Sequence, residues 1–305
     1  MAQTTEVLVF GSAIIDFICY TSRLPKPGET LHGHRFQTGY GGKGANQCVA
    51  AARQGSRTAL VAKLGADTFG GDYLRQLREE QVNVEHVQQL EGQTTGVAQI
   101  AVSDDGENNI IIVVGANSQL SPSDVNKADK LFQEAKVLVC QLETPIEATL
   151  TALKSFQGVS IVNAAPAMEN TPQELLQLAS IFCVNESEAA LMTQMVKIET
   201  VEEAQEAAAK LRKMGANIVI ITLGKLGAIF GTCDPKDGYQ HVPAPQVPPE
   251  KVVDTTGAGD AFIGALAHNI ARHPKNKMRD HIVAACQVAS QSVQLPGTQA
   301  SFPRT

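Results

Sequence analysis

Short apolar runs alternate with helical patterns along most of the chain, and this alternation limits the fold more than any other feature of the sequence. The runs are rich in Val, Ile and Leu, and such continuous apolar runs are typical of strands buried on both faces. Strands that alternate with helices predict β-α-β units and a mostly parallel sheet flanked by helices on both faces. The runs cover residues 7–10, 58–62, 137–141, 161–163, 181–184 and 218–221.

One helix is marked at both of its ends. Thr200 and Glu203 have the spacing of a capping box, an Ala-rich run continues to Lys213, and Gly215 can end the helix. No Pro/Ser-rich linker divides the 305 residues, so we expect a single α/β domain.

Charge and cysteine content exclude several classes of protein. A net charge of −6 without a basic patch argues against nucleic-acid and anionic-membrane partners. The six cysteines lie far apart and form no C-x-x-C motif, which favours reduced thiols over disulfides or a zinc site. The N-terminal residues do not resemble a signal peptide, and no apolar run approaches the ~18 residues of a membrane helix. We therefore expect a soluble cytoplasmic protein.

A hairpin interrupts the alternation of strands and helices. Residues 96–102 and 109–114 are strand-like and flank a polar turn. With the segment around residues 31–38 they predict a small separate sheet, whose apolar outer face and open edge a second subunit could cover. His32 and His34 would share a strand face there, and we expect a surface strand rather than a metal site.

Residues 254–260 form a glycine-containing loop that precedes an apolar helical run and follows the β-like residues 250–253. The amides of Gly257, Ala258 and Gly259 would lie at a helix N-terminus, where they can hold an anionic phosphate. Asp260 beside this cradle would repel a phosphate unless it accepts a proton from an attacking hydroxyl. The alternative is a helix N-cap.

A second glycine cluster, residues 39–46, opens another helical run. Gly42 allows close approach to the backbone, and Lys43 and Asn46 supply donors about one turn apart. The cluster is not a P-loop, because Gly44 follows Lys43 where Ser or Thr is required. Its spacing favours a polyhydroxylated ligand over a triphosphate.

Further polar residues follow the apolar runs, where ligands bind in open α/β sheets. Asp16 follows the first run, Glu143 the run at 137–141, and Asn185 with Glu188 the run at 181–184. Each has an ordinary alternative: a solvated carboxylate for Asp16 and Glu143, and a helix cap for Asn185 and Glu188.

Residues 41–46 (GGKGAN) and 254–260 (DTTGAGD) resemble the two signature motifs of the PfkB-type carbohydrate kinases, in particular the ribokinase group. The resemblance implies a ribokinase-like α/β fold with a mostly parallel central sheet, helices on both faces and a small β-sheet lid. It implies one domain, residues 1–305, with a lid built from about 13–40 and 95–115 that is often used for homodimerisation. The implied reaction is transfer of the ATP γ-phosphoryl group to the 5-hydroxyl of D-ribose.

The resemblance also implies roles for individual residues. Asp260 would be the catalytic base, and the amides of Gly257, Ala258 and Gly259 would complete the anion hole. The sugar would contact Ile14, Asp16, Gly42, Lys43, Asn46, Glu143 and Asp260. ATP would contact Asn185, Thr222, Gly224, Lys225, Gly227 and Gly259. Glu188 would organise Mg²⁺ through water, and K⁺ would bind Asp254, Thr256, Ser292, Leu295, Gly297 and Ser301.

The sequence departs from the family pattern at two positions. Ile14 stands where many ribokinases have Asn, so one hydrogen bond to the sugar is missing, and Cys286 stands where a polar residue contacting adenine is expected. A kinase for another sugar or a nucleoside and a non-catalytic sugar sensor are the alternatives, although a sensor would need no base. A dinucleotide-binding dehydrogenase is disfavoured because residues 11–16 lack G-x-G-x-x-G.

Overall fold

The computed structural model describes residues 4–232 and 238–305, and thirteen strands are found among them. In chain order they are β1 (Val7–Phe10), β2 (Ile14–Thr21), β3 (Arg35–Gly41), β4 (Thr58–Gly65), β5 (Val87–Leu90), β6 (Gly96–Ser103), β7 (Asn108–Val113), β8 (Val137–Cys140), β9 (Val159–Asn163), β10 (Ile181–Asn185), β11 (Ile218–Thr222), β12 (Ala228–Gly231) and β13 (Tyr239–Val242). Every apolar run used to predict the central sheet lies on a strand of that sheet.

The helices of the described residues connect and cover these strands. They are α1 (Lys43–Arg53), α2 (Thr68–Glu79), α3 (Pro122–Lys127), α4 (Asp129–Glu134), α5 (Ile146–Ser155), α6 (Gln173–Leu178), α7 (Glu186–Thr193), α8 (Val201–Lys213), α9 (Ala258–Arg272) and α10 (Met278–Ser292). The predicted capping box of α8 is confirmed, because the Thr200 side chain accepts from the amide of Glu203. Gly215 follows the helix end with φ of 116°, a conformation that favours glycine. Within the described ranges, no helix has both the length and the apolar character needed to cross a bilayer.

The central sheet has nine strands within the described residues, in the order β13-β12-β11-β10-β9-β8-β1-β4-β5. The strands from β11 to β5 are parallel, and β12 and β13 extend one edge in antiparallel pairing. Successive residues of β1 face opposite sides: Val7 and Val9 join one hydrophobic core, and Leu8 and Phe10 join the other. The predicted mostly parallel sheet with helices on both faces is confirmed.

A second sheet of four strands has the order β3-β2-β6-β7. The pairs β2–β3 and β6–β7 are antiparallel, and β2 pairs with β6 in parallel. The predicted small sheet is confirmed, but its strand near residues 31–38 begins only at Arg35. His32 and His34 therefore precede the strand, and the expectation that they share a strand face is wrong. Pro25, Pro27 and Gly28 keep the chain irregular in the preceding loop.

The β-like approach predicted for residues 250–253 is wrong. Pro249–Lys251 is a turn of 3₁₀ helix, and Val252 and Val253 are exposed. Pro248 and Pro249 supply no amide hydrogen to a sheet, and their fixed φ suits the start of a helical turn. The amides of Val253 and Asp254 instead donate to the carbonyl of Val293, 2.8 and 3.2 Å away, which ties this segment to the end of α10.

The helices α1 and α9 pack closely because a glycine lies between them. A Cβ at Gly264 would come within 2.8 Å of both the Gln47 carbonyl oxygen and the Ala51 nitrogen. Since real Cβ atoms do not approach backbone atoms this closely, no other residue fits at this crossing without a shift of one helix. The contact fixes the first turn of α1 relative to the first turn of α9.

Candidate active site

The predicted site residues come from loops and helix ends beside the carboxyl ends of the central strands. The first turns of α1 and α9 meet there, and Glu143, Asn185 and Thr222 follow or end β8, β10 and β11. This is the edge at which ligands bind in open parallel sheets. Asp16 comes from a different place, since it lies within β2 of the small sheet and not in a solvated loop.

Asp260 is a buried carboxylate in the first turn of α9, with 8% of its surface exposed. Its Oδ2 accepts from Asn46 Nδ2 at 2.9 Å, and its Oδ1 accepts from Gln47 Nε2 at 2.8 Å. The alternative of a helix N-cap is wrong, because the cap position is Gly257 and no side chain caps this helix. The carboxylate is therefore held by side chains of α1.

The helix start beside Asp260 leaves space for a ligand. A Cβ at Gly259 would meet no atom within 4 Å, so a phosphate can approach the backbone there. The amides of Gly259 and Asp260 belong to the first turn, where no intrahelical carbonyl can reach them. The Ala258 amide differs, because it donates to the Thr255 carbonyl at 3.1 Å. The free part of the anion hole is thus centred on Gly259.

Glu143 is fixed at the start of α1. Its Oε2 accepts from the Ser12 hydroxyl at 2.5 Å and from the Lys43 amide at 2.9 Å. A carboxylate at a helix N-terminus is stabilised by the partial positive charge of the free amides. Ser12 was not predicted as a site residue, although its position two residues after the end of β1 is a signal that could have identified it.

Asp16 lies against the glycine cluster. A Cβ on Gly41 would come within 2.6 Å of Asp16 Oδ1, so only glycine leaves room for the carboxylate. Burial, followed by the negative charges of Glu143 and Asp260, raises the pKa of Asp16 from 3.8 to about 7. Three carboxylates therefore converge on one region, and burial together with the two neighbouring charges opposes the ionisation of Asp16.

Lys43 is the nearby cation. Burial lowers its pKa, but the charges of Asp260, Glu143 and Glu188 outweigh burial, and the net shift is upward. Lys43 is thus held in its charged form between carboxylates from three different elements.

Asn185 and Glu188 form a reciprocal capping box on α7. The Glu188 amide donates to Asn185 Oδ1 at 2.8 Å, and the Asn185 amide donates to Glu188 Oε2 at 2.9 Å. The helix-cap alternative is therefore confirmed for both residues. Burial raises the pKa of Glu188, and its charge also acts on Lys43. Capping engages Oε2 of Glu188.

The predicted nucleotide loop is a tight turn after β11. Gly224 and Gly227 have φ of 51° and 96°, which favour glycine, and Lys225 lies on the exposed 3₁₀ turn between them. A Cβ on Gly227 would come within 2.5 Å of the Ala244 nitrogen. The backbone of residues 223–227 thus lies next to Thr222, which ends β11.

Two of the candidate K⁺ residues, Thr256 and Gly297, contact Asp254. Its Oδ1 accepts from the amide and hydroxyl of Thr256 at 2.9 and 2.6 Å, and its Oδ2 accepts from the Gly297 amide at 2.9 Å. The buried hydroxyls of Ser292 and Ser301 donate to the carbonyls of Ala289 and Thr298. Leu295 lies in the same loop with an exposed side chain. The two segments form one unit with oxygen-only donors.

The two departures from the family pattern have different surroundings. Ile14 is buried, with its Cγ1 3.2 Å from the position of a Cβ on Gly96, so it fills space without offering a hydrogen bond. Cys286 is part of the hydrophobic core that includes α9 and α10.

Three buried glutamines at the site were not predicted. Gln47 contacts Asp260 directly, Gln141 donates to Gln47 at 2.7 Å, and Gln299 donates to Asn46 at 3.0 Å. Gln47 directly follows the predicted residue Asn46, which was the one signal available in the sequence.

Comparisons with known proteins agree with this geometry. The family model described as pfkB family carbohydrate kinase matches residues 4–305. A ribokinase from Mus musculus is 43% identical over 99% of this chain and 93% of its own length, and a deoxyribokinase from Salmonella typhimurium is 36% identical over 98% and 95%. The structure of an Arabidopsis thaliana ribokinase complexed with ribose and ATP is similar, with a TM-score of 0.88 and 30% identity over 99% of this chain and 96% of that one.

We expect Asp16→Asn to stabilise the protein without substrate at pH 8 by up to about 4 kcal/mol. The reason is that the Asp16 pKa is about 7 in the folded protein instead of 3.8, so the ionised carboxylate destabilises the folded state at this pH and asparagine does not. The folded protein binds this proton more tightly than the unfolded chain, so wild-type stability falls as pH rises from about 4 to 7. The advantage of the variant should therefore shrink at pH 5. Urea unfolding at both pH values measures it, with exposed Asp129→Asn as the control. An equal effect at both pH values would contradict the shift.

Proposed function

The chain belongs to the pfkB family of carbohydrate kinases, and from this premise we propose that it transfers the γ-phosphoryl group of ATP to the 5-hydroxyl of D-ribose, giving D-ribose 5-phosphate and ADP. One observation carries the proposal: a buried carboxylate, Asp260, lies in the first turn of a helix whose start is open to a ligand. Transfer of a phosphoryl group to a hydroxyl requires a proton acceptor beside an anion site, and this arrangement supports that assignment.

Asp260 acts as the base in this mechanism. A carboxylate has about four acceptor sites, and Asn46 and Gln47 use two of them, so the attacking hydroxyl can donate to a third. The bond from the sugar oxygen to phosphorus forms as the bond to the β-phosphate oxygen breaks, and the hydroxyl proton passes to Asp260. The amides around Gly259 receive the charge of the transferred group.

The remaining polar groups orient the sugar. Asp16 and Glu143 offer carboxylate oxygens to vicinal hydroxyls, and Lys43, Asn46 and the backbone at Gly42 offer donors. Sugar hydroxyls that donate to Asp16 stabilise its ionised form, so binding of the sugar lowers the pKa of Asp16 from its raised value. ATP lies along the turn that contains Thr222, Gly224, Lys225 and Gly227, with Asn185 and Gly259 toward its phosphates.

Two ions fit the donor sets present. The unengaged oxygen of Glu188 can accept from waters of a hydrated Mg²⁺, which retains several waters and needs few protein ligands. Mg²⁺ neutralises phosphate charge when bound. The carboxylate of Asp254, the hydroxyls of Thr256, Ser292 and Ser301 and the carbonyls of Leu295 and Gly297 are oxygen donors suited to K⁺. The hydrogen bond from the Gly297 amide to Asp254 connects the loop at residues 292–301 to residues 254–260.

A second substrate, 2-deoxy-D-ribose, is favoured by a specific observation. Ile14 is buried and apolar and therefore gives no hydrogen bond to a hydroxyl whose loss would penalise a deoxy sugar. A relative named deoxyribokinase is 36% identical over 98% of this chain.

Residues 1–305 act as one kinase domain in this proposal, and the strands between about 13–40 and 95–115 form a lid that also mediates homodimerisation. The edge strand β7 is exposed along its whole length, with 65% of Ile111 accessible and Ile110, Ile112 and Val113 also exposed. An exposed apolar edge strand favours association. A second copy of the same strand offers an equally apolar surface, and a two-fold axis pairs the two without further sequence requirements.

We expect turnover with Mg-ATP to be highest with D-ribose or 2-deoxy-D-ribose and lower with fructose and adenosine, in a coupled assay of ADP formation. Asp260→Asn should retain sugar and ATP binding and lose ~10²–10⁴ in turnover, because Asn cannot accept the proton. Near-normal turnover of the folded variant would remove Asp260 from the mechanism. A preference for adenosine would reassign the substrate.

We expect K⁺ to activate the enzyme and Na⁺ or Li⁺ to activate it poorly, because a larger, more weakly hydrated ion suits carbonyl and hydroxyl ligands. Initial rates at saturating ribose and Mg-ATP, with K⁺ replacing Na⁺ at constant ionic strength, separate a bound ion from screening. Asp254→Ala should abolish the difference, because it removes the only formal charge of the ion's donor set. Equal wild-type rates in potassium-free Na⁺ and in K⁺ would reject the ion site.

We expect the wild-type protein to sediment as a dimer at micromolar concentration and Ile111→Lys as a monomer, because a lysine on each copy places like charges in an apolar contact. Val196→Lys is the matched control, since Val196 is a fully exposed apolar residue outside the small sheet. A wild-type monomer, or a dimer that Ile111→Lys leaves intact, would contradict dimerisation through this strand.

A further inference from the structure

A continuous chain of buried amide side chains runs through Asp260. On one side Gln141 donates to Gln47, and Gln47 donates to Asp260. On the other side Gln299 donates to Asn46, and Asn46 donates to Asp260. All four amides are at least 96% buried, and they come from three separate parts of the sequence.

The carboxylate sets the direction of every bond in this chain. An ionised carboxylate only accepts hydrogen bonds, so Asn46 and Gln47 must turn their NH₂ groups toward Asp260. Their carbonyl oxygens then face away, and Gln299 and Gln141 must each supply an NH₂ group to reach them. The Gln299 NH₂ group also donates to the Tyr73 hydroxyl at 2.9 Å, and that hydroxyl donates to the Gly41 carbonyl.

The outer glutamines of this hydrogen-bonded series, Gln141 and Gln299, each keep one amide oxygen unpaired within the described part of the protein. Among the described contacts, Gln141 Oε1 and Gln299 Oε1 are buried acceptors without a hydrogen-bond donor. Turning Asn46 or Gln47 around would bring a carbonyl oxygen against the carboxylate of Asp260, which is a worse contact than an unpaired amide oxygen. Among the residues that the structure describes, the amide oxygens of Gln141 and Gln299 therefore remain unpaired, while the NH₂ groups of Asn46 and Gln47 donate to Asp260.

We propose that Gln47 is a positioning residue for the base, supported by Gln141, and that Gln299 supports Asn46 in the same way. The inference rests on the proposed function, since it concerns the same proton acceptor. Gln47 holds one oxygen of Asp260 and stabilises its ionised form, while its second NH₂ hydrogen is donated to Asn163 Oδ1 at 2.9 Å. Gln299 belongs to the loop of the candidate K⁺ site and links that loop to Asp260 through Asn46.

Charged groups also face Asp260 from the surrounding elements. Asp16 from β2, Glu188 from α7 and Lys43 from α1 interact electrostatically with Asp260, and Glu143 after β8 acts on Asp16 and Lys43. The hydrogen bonds from Asn46 and Gln47 fix both oxygens of Asp260 among these charges. Asp16 titrates near pH 7, so the effect on Asp260 is best read from kcat at saturating sugar, where Asp16 is engaged by the ligand.

The test compares Gln47→Leu with Gln54→Leu. Gln54 is a buried glutamine at the end of the same helix, and its amide donates to the Pro303 carbonyl at 3.0 Å, far along the helix from Asp260. Loss of one hydrogen bond to a charged group predicts that kcat of Gln47→Leu at pH 7 falls about 10- to 100-fold. KM for ribose and ATP should change less than about twofold, and the acid limb of the kcat–pH profile should move to higher pH by about one unit. Gln54→Leu should keep the wild-type profile.

Several outcomes would overturn the inference. An unchanged kcat–pH profile in a folded Gln47→Leu protein, or an equal shift in Gln54→Leu, would reduce Gln47 to a packing role. If Gln47→Leu does not fold, Gln47→Met provides the same test, because methionine keeps the length of the side chain but donates no hydrogen bond to Asp260, and an unchanged profile there would equally reject the inference. Wild-type turnover in the same assay separates this result from failure of the proposed function, which would leave the wild type inactive.

Discussion

The crossing of α1 and α9 at Gly264 is the contact on which the site depends. Only a residue without a side chain lets the backbone of α1 approach α9 at the level of Gln47. The approach brings Asn46 and Gln47 within hydrogen-bonding distance of Asp260, more than 200 residues later in the chain. A carboxylate held between two rigid helices is more precisely placed than one on a loop.

The electrostatics of the site follow from this close packing. Asp260, Glu143 and Glu188 interact with Lys43, and Glu143 and Asp260 also act on Asp16. Burial, followed by these two charges, raises the pKa of Asp16. A neutral sugar brings hydroxyl donors to these carboxylates.

The two sheets contribute different residues to the candidate site. The central sheet fixes the helix starts and the loops after β8, β10 and β11, where neighbouring parallel strands end together. The small sheet contributes Asp16 from β2 and leaves its opposite edge, β7, exposed. β2, which carries Asp16, pairs directly with β6 of the β6–β7 hairpin, so a displacement of this hairpin would also move β2. Association through β7 would therefore affect the position of a residue in the sugar site.

The sequence by itself determined the strands of the central sheet, the hairpin, the capping box of α8 and the two glycine loops with Asp260 and Lys43. Those features are local: periodicity, capping and glycine content act over a few residues, so they can be read without knowing the fold. The sequence misplaced residues 250–253, where consecutive prolines override the apolar pattern. Only the tertiary structure decided that Asp16 lies on a strand with a pKa near 7 and that Gln47, Gln141 and Gln299 belong to one hydrogen-bond network with Asp260. Burial and hydrogen-bond direction depend on partners far apart in sequence, and a buried amide carries no periodic signal of its own.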